Sequence, residues 1–293
     1  MPTVLCAGHV NWDVTLHLDR LPAPDGEARI VEQRSAGGGS AANVATGLAT
    51  LGIETALLGS VGDDENGHLV RRALDDAGVD CGPLVTVPAE TAVKYLLVAD
   101  DGEVMVLGND GANESYTASD VPRDRLAGAT HLHLTNQDPE TAVRLAELAR
   151  DHGLSVSVDP GRRVGDRDFG PVLERADIVF YNEREAARVT ATDLDDGTTD
   201  RIRVIKRGAG GAEVHTPTDD RRTHAGYDVD PVDTTGAGDA FAAGFLAVYL
   251  GTETPDYEHA LAVGNACGAL AARERGARVR LDWDAIDDLE PRG

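Results

Sequence analysis

The chain has 293 residues, of which 51 are acidic and 27 are basic, so its formal net charge is −24 at pH 7. This acidity argues against nucleic acid and anionic membranes as partners, because both carry negative charge. The length suffices for one large α/β domain with an appendage or for two small domains, each with a sizeable core.

Arginine supplies almost all of the basic residues, and lysine occurs only at Lys94 and Lys206. High acidity with little lysine is similar to proteins from salt-loaded cytoplasms, where salt screens the self-repulsion of a negative surface. We therefore expect a halophilic protein and regard both lysines as candidates for specific roles. An ordinary solvated surface position is the alternative for either lysine.

The cysteines, Cys6, Cys81 and Cys267, are odd in number, widely spaced and without the spacing of metal ligands. Free buried thiols are therefore expected. The N-terminus lacks a basic region followed by a long apolar run, and no stretch approaches eighteen apolar residues. These features predict a cytoplasmic location.

A short buried strand is predicted at residues 4–8, and Asn11 and Asp13 follow it. Ligands bind at the carboxyl ends of strands in open α/β sheets. Because the two residues are two apart on an extended segment, they face the same way and can together bind a polyol. An Asx-type turn is the alternative. His9 is interpreted as a structural residue.

Two segments, at residues 14–34 and 91–107, have the alternating apolar pattern of strands that leave the main body. The first is a hairpin with a proline-rich turn, and the second has a turn at 100–102 between two apolar strands. Together they predict a small separate sheet. Such a lid would close over a site at the strand ends and exclude water.

A glycine-rich segment at 36–52 starts a predicted helix at about Ser40. Residues 37–42 satisfy G-x-G-x-x-A, the dinucleotide fingerprint. The fingerprint should directly follow the first strand, with its ribose-binding acid at the end of the second. Here a hairpin intervenes and Glu54 precedes its strand, so a dehydrogenase is the weaker interpretation. The glycines and Asn43 can still bind polar ligand groups.

The rest of the chain alternates strands and helices, which is typical of a parallel sheet. The predicted strands are 55–59, 129–134, 154–158, 177–180 and 202–206, and the helices are 66–77, 139–152, 241–250 and 257–273. No second break in composition is visible. We therefore predict one three-layer, doubly wound and mainly parallel α/β domain over residues 1–293.

Polar residues follow three of these strands. Arg163 lies in a turn, where its guanidinium can meet an anionic substrate group or remain a surface charge. Asn182 and Glu185 are three apart and would share a helical face that suits Mg²⁺ held through water, with helix capping by Asn182 as the alternative. Lys206 precedes a glycine-rich turn and can neutralise nucleotide phosphate.

The segment at 233–244, DTTGAGDAFAAG, places two threonines, two glycines and an acid before an apolar run of helical spacing. Asp239 therefore falls in the first turn of a helix with a glycine-lined start. Free N–H groups and the helix dipole bind anions there. An anion site beside a carboxylate suits phosphoryl transfer to a hydroxyl. A helix acid beside a tight turn is the simpler alternative.

These motifs together resemble the ribokinase (PfkB) family of carbohydrate and nucleoside kinases. They are G-x-x-N-x-D at 8–13, GGSAAN at 38–43, N-x-x-E at 182–185, G-x-x-G at 208–211 and DTTGAGD at 233–239. They span the chain in the family's order, and the last one is highly specific. The chain contains no Walker A sequence, G-x-x-x-x-G-K-S/T, which excludes P-loop enzymes.

The resemblance implies a role for each matching residue. Asp239 would be the catalytic base, with the amides of Gly236, Ala237, Gly238 and Asp239 as the anion hole for the γ-phosphoryl group. Asn11, Asp13, Gly38, Gly39 and Asn43 would hold the sugar. Asn182 and Glu185 would organise Mg²⁺ and phosphates, Gly208, Gly211 and Asn265 would lie on the ATP side, and Asp233 would adjoin a site for a monovalent cation, K⁺.

Three departures from the family pattern bear on the substrate. Ser40 stands where ribokinases usually carry lysine, and Lys206 stands where many members have threonine. The pattern D-x-G-x-R at 159–163 lacks the asparagine of the D-x-N-x-R found in fructose and ketodeoxygluconate kinases. The acceptor is therefore open at this point.

We predict an ATP-dependent kinase for the primary hydroxyl of a ribose-type sugar, a nucleoside or a pentose phosphate. The resemblance also implies a homodimer formed through the lid. One alternative is a hexose, fructose or 2-keto-3-deoxygluconate kinase, in which Arg162, Arg163 or Lys94 would hold an anionic group. A nucleotide-sensing protein on a kinase scaffold is the alternative outside enzymes.

Overall fold

The computed structural model describes residues 3–99, 103–191, 200–252 and 254–289. The strands are β1 Thr3–Ala7, β2 Asn11–Leu18, β3 Ile30–Gly38, β4 Glu54–Gly62, β5 Leu84–Val87, β6 Val93–Ala99, β7 Val104–Gly108, β8 His131–Thr135, β9 Ser155–Asp159, β10 Ile178–Asn182, β11 Ile202–Lys206, β12 Ala212–His215 and β13 Arg221–His224. The α-helices are α1 Ser40–Thr50, α2 Glu65–Asp76, α3 Arg123–Gly128, α4 Pro139–Asp151, α5 Gly170–Leu173, α6 Glu183–Ala191, α7 Ala237–Tyr249, α8 Tyr257–Arg273 and α9 Trp283–Asp287.

The larger sheet has nine strands in the order β13-β12-β11-β10-β9-β8-β1-β4-β5. All neighbours from β11 to β5 are parallel, and β12 and β13 add an antiparallel edge. Parallel strands need crossover connections, which the helices between them provide. The predicted doubly wound and mainly parallel sheet is confirmed.

Helices cover both faces of this sheet, as β1 shows. Val4 and Cys6 pack into a core shared with α1, α7 and α8, whereas Leu5 and Ala7 pack into a second core shared with α4. Successive side chains of a strand point to opposite faces, so a strand buried on both sides has no polar face. The predicted three-layer arrangement follows from this apolar sequence.

The smaller sheet has four strands in the order β3-β2-β6-β7. It joins the two predicted insertions through the parallel pairing of β2 with β6. The turn predicted at residues 100–102 lies outside the described residues. Several large apolar side chains of this sheet are exposed, among them Tyr95, Val104 and Leu107.

The structure corrects some element boundaries. The helix α7 begins at Ala237, four residues before the apolar run that predicted it, and Glu54 is the first residue of β4. Cys6, Cys81 and Cys267 are free and buried, as predicted. Among the described residues, every helix is too short or too polar to cross a membrane.

Candidate active site

Two helices at the carboxyl edge of the large sheet begin differently from the others. The helices α2, α4 and α8 begin at aspartates whose side chains accept backbone N–H bonds. By contrast, α1 and α7 follow Gly39 and Gly236, which have φ values of +96° and +77°. Glycine adopts these angles readily and has no side chain to cap a helix. The N–H of Ala237 donates to the carbonyl oxygen of Thr234 at 3.3 Å, and the other N–H groups in the first turns of both helices can bind a ligand.

The backbone also packs too tightly at these two positions for any side chain. A Cβ on Gly39 would overlap the carbonyl group of His9, and a Cβ on Gly236 would overlap that of Ala277. Gly39 and Gly236, which the sequence analysis assigned to ligand binding, are therefore required by both the angles and the packing.

Asp239 lies in the first turn of α7 and accepts a hydrogen bond from Asn43 of α1. The Nδ2 of Asn43 is 2.7 Å from Oδ2 of Asp239. Desolvation raises the pKa of Asp239 to about 6, although the Asn43 bond opposes the rise. A general base works best when its pKa lies near the operating pH. This carboxylate is therefore suited to accept a proton near neutrality.

Buried polar atoms without a hydrogen-bond partner collect at the same edge of the sheet. Within the described part of the chain they include Nδ2 of Asn11, Oδ1 of Asp13, Oδ1 of Asn43, Oδ1 of Asn136 and Nε2 of Gln137. Nearly all buried polar groups in folded proteins are hydrogen-bonded. Such a collection of donors and acceptors marks a site for a ligand rich in hydroxyl groups.

Asn11 is held in place by a residue that sequence reasoning missed. Asn113 donates from Nδ2 to Oδ1 of Asn11 at 2.7 Å and accepts from the backbone N–H of Val10 at 3.1 Å. Gln137, also missed, accepts a 2.6 Å hydrogen bond from the hydroxyl group of Tyr116. Gln137 follows the strand β8, so the rule that selected Asn11 and Asp13, polar residues just after a strand, would have found it.

The small sheet brings Lys94 to Asp13. The two residues are register partners on β2 and β6, so their side chains share one face. Burial raises the pKa of Asp13, and the charge of Lys94 opposes this rise. Gly38 lies so close to Asp13 that a Cβ there would overlap the carboxylate. The predicted acceptor residues Asn11, Asp13, Gly38 and Lys94 are therefore neighbours.

The side chain of Arg163 forms ion pairs with two acidic residues, Asp110 and Glu114. Its guanidinium lies 2.7 Å from Oδ1 of Asp110 and 3.5 Å from Oε1 of Glu114. The same Glu114 oxygen also contacts His9 and Arg167. Burial opposes ionisation of Glu114, but hydrogen bonds from His9 and Arg167 outweigh it and lower its pKa to about 2. The predicted structural role of His9 fits this network.

Lys206 and Asp159 form an ion pair at the ends of β11 and β9. The Nζ of Lys206 is 2.6 Å from Oδ2 of Asp159. Burial raises the pKa of Glu185, and the charge of Asp159 raises it further. The sequence placed Lys206 on the nucleotide side but did not predict its partner.

Asn182 and Glu185 form a reciprocal cap at the start of α6. Oδ1 of Asn182 accepts from the N–H of Glu185, and Oε2 of Glu185 accepts from the N–H of Asn182, both at 2.9 Å. Capping, the alternative in the sequence analysis, is thus present. It is compatible with metal binding, because a carboxylate has about four acceptor positions. Within the described ranges, no three His, Cys, Asp or Glu side chains are already grouped to hold a metal ion.

The remaining residues predicted for the nucleotide side also come together. Gly211, at the end of the turn that begins at Gly208, contacts the backbone of His224 so closely that a Cβ would overlap it. Asn265 of α8 lies 3.1 Å from Nδ1 of the same His224. The glycine-rich turn and α8 therefore meet beside β13.

Asp233 connects two loops next to α7. Its Oδ1 accepts from the N–H of Thr235 at 2.9 Å, and its Oδ2 accepts from the N–H of Gly276 at 3.0 Å. These bonds fix the loop that leads into the glycine turn. The carboxylate proposed for a cation site thereby has a defined position.

Comparison with known proteins agrees with this geometry. The family model described as pfkB family carbohydrate kinase matches residues 1–284. The chain is 54% identical to an ATP-dependent ribose-1-phosphate kinase of Halopiger xanaduensis, covering 98% of this chain and 97% of that protein. It is 31% identical to a nucleoside kinase of Methanothermobacter thermautotrophicus, covering 84% and 82% of the two chains.

The fold is shared with solved kinases. The structure of the nucleoside kinase of Methanocaldococcus jannaschii matches with a TM-score of 0.86 and 24% identity, covering 98% of this chain and 97% of that chain. The ribokinase of Arabidopsis thaliana, solved with ribose and ATP, matches with a TM-score of 0.85 and 22% identity over 97% of each chain. At these identities the likeness concerns the fold.

Proposed function

The chain belongs to the pfkB family of carbohydrate kinases, and we propose that it transfers the γ-phosphoryl group of ATP to the primary hydroxyl of ribose 1-phosphate. Family membership makes the chain a kinase, which sets aside the nucleotide-sensing alternative. The choice of acceptor is the proposal, and the ribose-1-phosphate kinase of Halopiger xanaduensis supports it as a relative over nearly the whole chain.

The observation that carries this choice is the position of Lys94. It shares a face of the small sheet with Asp13, and its charge also lowers the pKa of Asp239. In a chain with only two lysines, one stands among the groups proposed to bind the acceptor. A phosphate on the acceptor would give that ammonium group a second charged neighbour besides Asp13.

The transfer uses the residues at the start of α7. The acceptor hydroxyl loses its proton to Asp239 as its oxygen attacks the γ-phosphorus. The bond from phosphorus to the β–γ bridging oxygen breaks, and ADP leaves. The amides of residues 236–239 stabilise the charge on the transferred group, and the free atoms of Asn11 and Asp13 orient the sugar.

Mg²⁺ fits the carboxylates on the nucleotide side. Glu185 and Asp159 are close enough for one charge to raise the pKa of the other carboxyl, so the pair favours added positive charge. Glu185 would hold the ion through water, as is common for Mg²⁺ bound with phosphates. Bound Mg²⁺ would neutralise charge on the phosphate oxygens. K⁺ would adjoin Asp233, whose carboxylate two backbone N–H groups hold in place.

We also propose a single domain in which the small sheet is a lid and pairs with a second copy of the chain. Tyr95, Met105 and Leu107 share one face of this sheet and are 43%, 43% and 52% exposed, although large apolar side chains favour burial. Pairing of two such sheets would cover these side chains. The acidity and the scarcity of lysine support a salt-loaded cytoplasm as habitat and a protein that does not bind nucleic acid.

A nucleoside is the second candidate acceptor, because the relative at 31% identity is a nucleoside kinase. Ribose, a nucleoside and ribose 1-phosphate share the same primary hydroxyl and differ only at C1. The test is ADP release at high KCl with these three acceptors and with fructose, ketodeoxygluconate and ribose 5-phosphate. Ribose 5-phosphate is the matched control, since its primary hydroxyl already carries phosphate.

We expect the highest kcat/KM for ribose 1-phosphate and background release with ribose 5-phosphate. Lys94→Met should lower kcat/KM for ribose 1-phosphate by roughly 10–100-fold, the worth of a charge-assisted contact, with a smaller loss for ribose. A preference for nucleosides or fructose, or an equal loss for all acceptors in Lys94→Met, would overturn the choice of acceptor.

A further inference from the structure

The ion pair of Lys206 with Asp159 lies directly against the anion hole. Lys206 is 13% exposed and Asp159 is 11% exposed by side chain, so the pair is largely shielded from water. A Cβ placed on Gly238 would lie 3.5 Å from Nζ of Lys206. The ammonium group therefore stands beside the turn whose amides face the phosphoryl group, while its hydrogen bond goes to a carboxylate.

Three carboxylates keep Lys206 charged. Burial lowers its pKa, but Asp159, Glu185 and Asp239 together raise it above the ordinary value. The charge of Lys206 in turn lowers the pKa of Asp239, the proposed base. The ammonium group of Lys206 thus interacts with all three carboxylates. Its position therefore affects both the proposed nucleotide site and the proposed base.

We propose that Lys206 is a catalytic residue that exchanges partners during turnover: Asp159 holds it in the free enzyme, and it moves to an oxygen of the γ-phosphoryl group when ATP binds. The flexible four-carbon stem of lysine permits this motion, and Nζ already lies beside Gly238. Asp159 is then a positioning residue that prevents an unpaired buried charge before ATP arrives. The inference rests on the proposed ATP-dependent transfer and is independent of the acceptor.

During the transfer Lys206 keeps its proton. The acceptor oxygen forms the new bond to phosphorus, the bond to the bridging oxygen breaks with its electron pair leaving on ADP, and the hydroxyl proton passes to Asp239. The ammonium group neutralises charge on a non-bridging oxygen throughout.

The test combines binding and rate measurements on four variants and one control. Lys206→Met should lower kcat by roughly 10²–10³-fold, as loss of a transition-state donor does. In equilibrium titrations without acceptor, it should weaken the binding of ATP by roughly 10-fold more than the binding of ADP, because only ATP has the γ-phosphoryl group. Lys206→Arg should retain part of the rate. Arg144→Met is the control, because Arg144 is 67% exposed on α4 and outside the proposed site, and its ratio of ATP to ADP affinity should equal that of the wild type.

Asp159→Asn and the double variant, which combines it with Lys206→Met, distinguish an exchange of partners by Lys206 from an ion pair with a merely structural role. Asp159→Asn releases Lys206, so ATP should bind more tightly than in the wild type. The double variant should remain as slow as Lys206→Met. If the ion pair is only structural, the opposite is expected. The double variant removes both charges and leaves neither one unpaired, so its stability and rate should recover. Recovery of kcat in the double variant, weaker ATP binding in Asp159→Asn, or an unchanged affinity ratio in Lys206→Met would overturn the proposal. Thermal melting of each variant verifies that it is folded.

Discussion

The side-chain amide of Asn43 donates a 2.7 Å hydrogen bond to the carboxylate of Asp239, joining the helices α1 and α7 where both begin. The bond favours the ionised carboxylate and opposes desolvation, which favours the neutral form. Together with the charge of Asp159, which raises the pKa, and the charges of Lys206 and Lys94, which lower it, these effects place the pKa of Asp239 at about 6.

Asp239→Asn should lower kcat by roughly 10²–10⁴-fold, because the variant cannot accept the hydroxyl proton. ATP affinity should remain close to that of the wild type, since the amides of α7 are unchanged. Steady-state ADP release and nucleotide titration measure the two effects. Near-normal turnover in this variant would show that Asp239 is not the base.

Asn43→Ala should shift the acidic limb of the rate profile to higher pH. A base must be ionised, so the wild-type kcat/KM for the acceptor should fall as the pH drops through about 6, the pKa of Asp239 in the free enzyme. The Asn43 bond lowers this pKa, and its loss should therefore raise it. Measurement of kcat/KM from about pH 5 to about pH 9 tests the shift. A limb that stays in place would contradict the assignment.

Glu114→Gln should destabilise the fold by about 1–3 kcal/mol, since it removes the negative charge of the acceptor that His9 and Arg167 share. The pKa of Glu114 is lowered in the folded state from 4.5 to about 2. Its stabilising effect is therefore fully present above pH 4.5 and is lost as the pH falls towards 2. Denaturant melts of both proteins should show a difference in unfolding free energy that shrinks over this interval. A constant difference would argue against a role for the carboxylate charge.

Leu107→Lys should shift the protein from dimer to monomer, because it places a charge within the exposed apolar face of the small sheet. Leu107 is 52% exposed, so the substitution should leave the unfolding free energy of the monomer nearly unchanged. Leu69→Lys on α2 is the control, since Leu69 is 40% exposed and lies outside that sheet. Sedimentation at high KCl measures the assembly. Dimers that persist in Leu107→Lys would place the interface elsewhere.

The sequence predicted the parts of the fold and of the site that depend on local pattern. The apolar strand β1 and the glycine-rich start of α7 are visible from neighbouring residues alone. The four-residue strands β5, β12 and β13 were missed because they are short, and β12 and β13 are also rich in polar residues. Their pairing depends on the edge of a sheet that exists only after folding.

Pairings between distant residues could not be predicted in the same way. Asp159 and Lys206 are 47 positions apart in the chain. They meet because β9 and β11, the strands that end at them, flank the same strand, β10, in the sheet. Asn113 reaches Asn11 from a loop after the small sheet, at a separation of 102 positions. For Asn182 and Glu185 the sequence offered metal binding and capping, and only the structure shows that the cap forms.

The strand β2 begins with Asn11 and Asp13, the residues proposed to bind the acceptor, and continues as a central strand of the small sheet. In the proposed function, the residues that bind the sugar and the lid that excludes water therefore belong to one strand. Binding of the sugar would then position the lid directly. Hydrolysis of ATP by water would accordingly stay slow until an acceptor is bound.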